Sequence, residues 1–513
     1  MAYNSATTFG EITSLTSEIF AENDILVLRK RDLARIFLRR LLELDETADD
    51  TKLENAYRIA SSRVDVPNDQ GLFWEFIEKE YLGLEQEPQD KFLDACIQAN
   101  RDLISIAKNL TYINNQKETL SKKITAGGRL SPEERYYRNQ LAYYEDKNLL
   151  ARNEIVEFLT HKIKQYAISK ASFSKFNFFS HCLPFLSDSP YSFRSRDCWG
   201  LGDAYDPRSL DEFSNKFMDL PVTTYRKIIR ECRESADKFR YYANLYINGL
   251  PNQLPSVSEK IRDLMGRSHI LFNRQKVLST MLGHYENRDY ISFVSMAPLQ
   301  IEGIFADVCR DIGVSETQLD ISSLNDKLLH IDGKVRSFFS FEYYSFKFPV
   351  LRNLVAHGGL IDGDLEDTAI HLILDLLPVC ELTVSDDLPV VNALKVLREA
   401  SDGDPKKLAE WLELRNLVQI PEFYDALDLK RKTDEHYASS RFWDYLEKEL
   451  NSIDAVENLK HSRPIKIAGE LKRLGLATDR AEAFLKNSPV VAREHINKRR
   501  ELLESLIGRQ PNS

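Results

Sequence analysis

The chain is predicted to be all-α and multidomain, and three observations carry that reading. Only 20 Gly and 18 Pro are spread over 513 residues, and long charged amphipathic stretches lie between them. No strand-rich stretch, internal repeat or low-complexity tract interrupts that pattern. Two start signals are those of helices: Ser131-Pro132-Glu133-Glu134 and Asp404-Pro405. A length of 513 residues exceeds one core, so roughly two to four domains are expected. With 43% apolar residues, 22 Tyr and 27 Phe, each domain can build a real core.

The elements follow in order. Ile25, Leu26, Leu28, Leu33, Ile36, Phe37, Leu41 and Leu42 recur at helical spacing through an Arg-rich stretch. Ala126-Gly127-Gly128 ends one helix and Ser131 caps the next, with Pro132 at its first position and Glu134 closing a capping box. Residues 90–170 therefore read as a long antiparallel hairpin within an N-terminal helical domain, 1–171. Phe173, Phe176, Phe178, Phe179, Phe185 and Trp199 among Ser, Pro and Gly mark an irregular aromatic segment. Helical pattern resumes near Ser209 and pauses at Gly249-Leu250-Pro251, giving a second region, 172–255. Two further helices precede Tyr290 in a helical bundle spanning 256–385. A C-terminal helical domain, 386–513, starts a helix at Asp404-Pro405 and ends in Lys498-Arg499-Arg500 and a polar tail.

Charge and cysteine usage narrow the function. A net charge of −10 argues against a protein that coats nucleic acid with a broad basic face, but leaves room for a local phosphate site. The six cysteines are scattered without a C-x-x-C pair or metal-ligand spacing, as expected of reduced thiols. The N-terminus lacks the basic start and apolar core of a secretion signal. The longest apolar run, Ile370 to Val384, is broken by Asp375 and Glu381 and reads as a buried helix. A cytoplasmic protein without a metal or cofactor is the expectation. No phosphate-cradling Gly loop, zinc signature or nucleophile elbow is present.

The most informative segment is Arg352-Asn353-Leu354-Val355-Ala356-His357-Gly358-Gly359. A guanidinium grips phosphate through a planar fork of donors. An imidazole takes or gives a proton near neutral pH. Together they are a minimal kit for cleaving a phosphodiester without a metal. Five residues apart on a helix, Arg352 and His357 stand about 140° apart in azimuth. Asn353 and His357, four apart, share a face. Gly358 is a natural helix stop, which puts His357 in a last turn where the dipole favours the imidazolium.

With the upstream helix carrying Gln300 and Glu302, this segment resembles the HEPN family (higher eukaryotes and prokaryotes nucleotide-binding domains). Its signature is Arg, four to six residues, then His, often with Asn after the Arg. The resemblance covers about a quarter of the chain and implies a HEPN-like antiparallel bundle that forms a homodimer with two Arg-His sets facing one cleft. It implies that Arg352 holds the scissile phosphate, that Asn353 orients a neighbour, and that His357 acts as acid or base. Attack would come from a ribose 2′-hydroxyl of an RNA substrate. Glu302 matches the acidic position on the family's earlier helix. The implied activity is a metal-independent endoribonuclease leaving 2′,3′-cyclic phosphate and 5′-hydroxyl ends, in the manner of bacterial toxin and phage-defence proteins. One toxin branch carries a modifiable Tyr two residues after the His; here that position is Gly359.

Competing candidates have plainer readings. Arg431 and His436 repeat the spacing without the Asn, the apolar flanks or the Gly pair, as on a solvated helix face. His330 and His371 sit in apolar helical contexts, and the runs Arg135-Tyr136-Tyr137-Arg138 and Phe239-Arg240-Tyr241-Tyr242 read as helix-packing stripes. Arg194, Arg196 and Asp197 read as a loop held by ion pairs. The alternative function is a non-catalytic HEPN-type binding or scaffold protein. A nucleotide-sensing module working through Arg352 is a third.

Overall fold

The computed structural model describes residues 7–24, 26–61, 65–172, 191, 205–250, 254–356, 364–452 and 456–507. The chain divides into two compact units, Met1–Ser214 and Asn215–Ser513, each taken by itself below. The described residues form helices and turns with no β-strand, the all-α class that the composition implies. Most of the aromatic segment 172–208 lies outside them, including Arg194, Arg196 and Asp197.

In the first unit α1 (Phe9–Glu22), α2 (Lys30–Leu41), α3 (Asp50–Ser61) and α4 (Gln70–Glu80) pack around Phe37, Tyr57, Phe73 and Trp74. Then comes the hairpin: α5 (Pro88–Thr125) runs out and α6 (Pro132–Glu157) returns, continued by a π-helical turn, Phe158–Lys162, and α7 (Ile163–Ala171). Both halves of the Ser131 capping box are made, with the Glu134 amide donating to Ser131 Oγ and Glu134 Oε2 accepting the Ser131 amide. Gly127 turns the corner at φ 82°, the left-handed region that glycine enters without strain. Tyr112 and Tyr137 meet hydroxyl to hydroxyl across the seam at 2.9 Å, so the tyrosine run is interfacial as expected. Buried amides strap the following segment onto the hairpin: Gln140 Nε2 donates to the Pro207 carbonyl and Asn148 Nδ2 to that of Tyr205, both at 2.8 Å.

The second unit holds the remaining helices. They are α8 (Val222–Glu234), α9 (Ala236–Asn248), α10 (Val257–Arg267), α11 (His269–Asn273), α12 (Gln275–Glu286), α13 (Tyr290–Asp311), α14 (Glu316–Ile321), α15 (Leu324–Asp332) and α16 (Phe341–Phe346). These are followed by α17 (Phe348–Ala356), α18 (Leu365–Leu382), α19 (Pro389–Ser401), α20 (Pro405–Leu414), α21 (Leu427–His436), α22 (Ser440–Leu450), α23 (Arg463–Leu474) and α24 (Thr478–Ile507). Three helices, not two, separate Gly249 from Tyr290, because Ser268 and Arg274 break that stretch into short pieces. Regular helix begins at Val222 rather than near Ser209; a 3-10 turn, Pro207–Ser209, is followed by turns and a bend through Phe217 at φ 57°.

At the centre α13 packs along α18, which is buried on nearly every side, as its apolar run suggests. Among the described residues α13 alone is long and apolar enough to cross a membrane; here Phe293, Ile301 and Phe305 are buried in the unit. Towards the C-terminus α19 to α24 enclose a core that includes Leu397, Trp411, Tyr437 and Phe442. Asp404 caps α20 with Pro405 at its first position, as the sequence signals.

The bend at Phe217 carries a buried polar cluster of the second unit. Lys216 and Asp375 are ion-paired with both side chains 0% exposed. The ammonium has three donors, and three acceptors meet it: Asp375 Oδ1, Asn215 Oδ1 at 2.9 Å and Tyr343 Oη at 3.0 Å. Asp375 also accepts from Asn215 Nδ2 at 2.9 Å and from the Tyr343 hydroxyl at 3.0 Å. Tyr344 donates to the Asp375 carbonyl at 2.6 Å. Nearby, His371 stacks on Phe239 with ring centres 4.5 Å apart, and burial pushes its imidazole down to about 3.

Breaking one side of a buried ion pair strands the other, at a cost of about 3–5 kcal/mol. Asp375→Ala is expected to lower the denaturation midpoint of the second unit accordingly; an unchanged midpoint would mean that Lys216 reaches water. His371 gives a pH signature. Its folded value lies below the ordinary one of about 6.5, so below that pH the unfolded chain takes up a proton that the folded chain refuses. Stability is therefore lost as pH falls from neutrality towards 3. His371→Phe is expected to flatten that part of the profile, measured as urea midpoint against pH.

Candidate functional site

Helix α17 follows α16 with one residue between, and its start is set by buried Phe348 and by Pro349 in the first turn. Arg352 and Asn353 project from its middle. Arg352 reaches α13, where its Nε and Nη2 donate to Glu302 Oε2 at 3.1 and 2.9 Å. Its Nη1 donates to Asn353 Oδ1 at 3.0 Å. The other oxygen of Glu302 faces Lys327 of α15, with Nζ at 3.4 Å. One carboxylate thus stands between two cations, with Arg352 31% and Glu302 20% exposed.

This arrangement leaves Arg352 chemically available. A guanidinium has five N–H donors. Three are used, so two make no hydrogen bond among the described residues. Those two, on a side chain open to solvent, are what a phosphate oxygen pair would take. Glu302 fixes the guanidinium plane through Nε and Nη2, and Asn353 accepts one Nη1 N–H.

A second arginine braces the same stretch of α13 from the opposite side. Arg274 donates to Gln300 Oε1 at 3.1 Å, to the Gly303 carbonyl at 3.0 Å and to the Asp307 carboxylate. Gln300, Gly303 and Asp307 are spaced three and four apart, so they form one ridge, while Glu302 faces elsewhere. Gly303 makes room for this contact: a Cβ there would lie 2.5 Å from Arg274 Nη1 and 2.8 Å from Cζ, so the guanidinium would have to move.

Arg352, Asn353 and Glu302, read from the sequence as one site, are therefore brought together by three side-chain hydrogen bonds. His357, Gly358 and Gly359 lie outside the described residues. Sequence reasoning missed Lys327 and Arg274. Lys327 had no local signal, since only the packing of α15 on α13 presents it to Glu302. Arg274 had a faint one, a glycine inside an apolar helix at Gly303. Of the second Arg-x4-His pair, expected on a solvated helix face, Arg431 is exposed and paired with Asp428 and Glu435. His436 instead packs its ring over Gly403 and hydrogen-bonds the Ser401 carbonyl at 3.1 Å.

Compared with models of protein families, with curated proteins and with solved structures, the chain matches none. The site therefore rests on its own geometry.

A glycine in a helix interior ordinarily gains about 1 kcal/mol on replacement by alanine. Gly303→Ala is expected to lose about 1–2 kcal/mol instead, since Arg274 must leave its three acceptors. In an Arg274→Ala background the same change is expected to stabilise. Denaturation midpoints of the four proteins in that cycle check both signs; a stabilising Gly303→Ala in the unaltered chain would show that the arginine is not seated there.

Proposed function

We propose that the chain is a metal-independent endoribonuclease of the HEPN kind, with Arg352, Asn353, Glu302 and His357 as its working residues. The observation that carries this reading is the half-exposed Arg352 guanidinium, oriented by Glu302 across two helices and keeping two donors for a phosphate. The reaction needs no other chemistry than this chain can supply. The ribose 2′-oxygen attacks the adjacent phosphorus and gives up its proton to a base, the role assigned to His357, five residues on from Arg352 and the side chain that titrates near neutral pH. The bond from phosphorus to the 5′-oxygen breaks, and that oxygen receives a proton. The products are a 2′,3′-cyclic phosphate and a 5′-hydroxyl, while Arg352 steadies the charge on the phosphoryl oxygens.

A homodimer belongs to the same reading. Ile291, Ser295 and Leu299 follow one another at four-residue spacing along α13, with Ile291 66% and Leu299 53% exposed. Leu354 on α17 adds a further exposed apolar side chain. A second copy covering these residues would bring two Arg352 sets towards one cleft. The resemblance suggests a cytoplasmic toxin or phage-defence effector answering to a trigger. The competing reading is a scaffold in which the Glu302–Arg352 pair is only structural, and the saturation of Glu302 by Lys327 favours it.

Cleavage of RNA by the purified chain, with a chelator present and the product ends analysed, separates the two. His357→Ala and Arg352→Ala are each expected to slow cleavage by about 10²-fold or more. Cleavage that survives both substitutions, or that requires a divalent ion, would sink the nuclease reading.

A further inference from the structure

A second cleft in the C-terminal unit, built from other residues, has no part in the reaction above. It is open to solvent and about 650 Å³ in volume, within the range of about 300–1,000 Å³ typical of ligand pockets. Arg267 from the last turn of α10, Lys395 and Arg398 from α19, and Phe423 and Tyr424 from the turn before α21 line it.

The charges of this cleft are unequally committed. Lys395 is tied to Asp386. Glu399, also on the wall, is tied to Lys407 at 3.2 Å. Arg267 pairs with Asp263 one turn back at 3.2 Å, but the two are 62% and 67% exposed, where such a pair contributes little. Arg398 makes no ion pair among the described residues. Two guanidinium groups therefore face one cleft with donors to spare, in a chain whose net charge is −10.

The aromatic wall is fixed in place. The ring centre of Phe423 lies 4.8 Å from that of Phe272, in a tilted contact, and 4.8 Å from that of Tyr424, edge to face. The Tyr424 hydroxyl accepts the His269 backbone N–H at 3.3 Å and stands 3.2 Å from His269 Nδ1. His269 Nε2 in turn lies 3.3 Å from Asp311. With the proton on Nε2, facing Asp311, Nδ1 takes the tyrosine proton, so each link has one donor and one acceptor. The ring is pinned from behind, and burial pushes its hydroxyl up.

Fixed ring faces beside uncommitted guanidinium forks match one ligand chemistry: a flat heteroaromatic base joined to phosphate. Rings stack a base whatever its identity, and a guanidinium takes phosphate oxygens in pairs. Inorganic phosphate would leave the rings unused. We propose that this cleft binds a nucleoside phosphate, either free or at the end of an RNA chain, separately from the Arg352 site and whether or not that site cuts RNA.

Isothermal titration of the full chain tests this with three probes: ATP, a 5′-phosphorylated 2′-O-methyl oligonucleotide that resists cleavage, and inorganic phosphate. Arg398→Glu changes an exposed side chain, and circular dichroism verifies its fold. Saturable binding of ATP or the oligonucleotide is expected, weakened tenfold or more by Arg398→Glu and by Phe423→Ala, and unchanged by Arg352→Ala. Tighter binding of ATP marks a free nucleotide as the ligand, and tighter binding of the oligonucleotide marks a chain end. The proposal is overturned by no saturable binding of either, by inorganic phosphate binding as tightly as ATP, by binding that persists in Arg398→Glu, or by binding lost in Arg352→Ala. RNA cleavage is read in a separate assay, so either idea can fail without the other.

Discussion

Asp375 is a fully buried carboxylate in the middle of a helix that is covered on nearly every side, and the second unit is arranged around that fact. Removing an ion from water costs several kcal/mol even after relaxation, unless partners replace the hydration shell. Here an ammonium, an amide and the Tyr343 phenol reach the carboxylate from the bend at 215–217 and from α16, while the Tyr344 phenol donates to the Asp375 backbone carbonyl. Satisfying one charge thus fixes where that bend lies and how α16 is oriented. Because α17 follows α16 after a single residue, the same network fixes the base of the helix that carries Arg352.

Helix α13 then sets the reach of that arginine. It is apolar where it meets α18, yet within eight residues it carries Gln300, Glu302, Gly303 and Asp307, which divide between two seams. Arg274 closes one seam and Arg352 with Lys327 the other, so the helix is held by cations on both sides. A guanidinium braced in this way keeps its plane without a fully buried pair, and so avoids the desolvation that such a pair costs. The same economy appears at the second cleft, where His269, itself 3.3 Å from Asp311, holds the partly buried Tyr424 by its hydroxyl.

What was legible in the chain follows from distance along it. Signals that act over a few residues were read correctly: the Ser131 capping box, the Gly127 corner, the Asp404-Pro405 start and the burial of the 370–384 run. Helix resumption was placed too early, near Ser209, because the apolar residues there serve turns that face inward rather than a helical stripe. Glu302 and Arg352, 50 residues apart, were joined in the sequence only through the family resemblance, and no local signal announces the hydrogen bonds between them. Nothing local could pair Lys216 with Asp375 or bring Lys327 to Glu302, since each pairing exists only once helices have packed. Lys216 even reads as an ordinary surface lysine, the residue type least expected in a core.

The distance between Lys216 and Asp375 also has a meaning in time. The two are separated by 159 positions, which at about 5–20 residues per second is about 10–30 seconds of synthesis. For that interval the bend at 215–217 has no counter-charge, and the ammonium stays in water. A chain cut short before α18 would hold both Arg352 and Glu302 yet lack the charge that locates them. The order of the elements therefore makes the unit mature late and as a whole, which withholds the arranged Arg352–Glu302 pair from every fragment that stops short of α18.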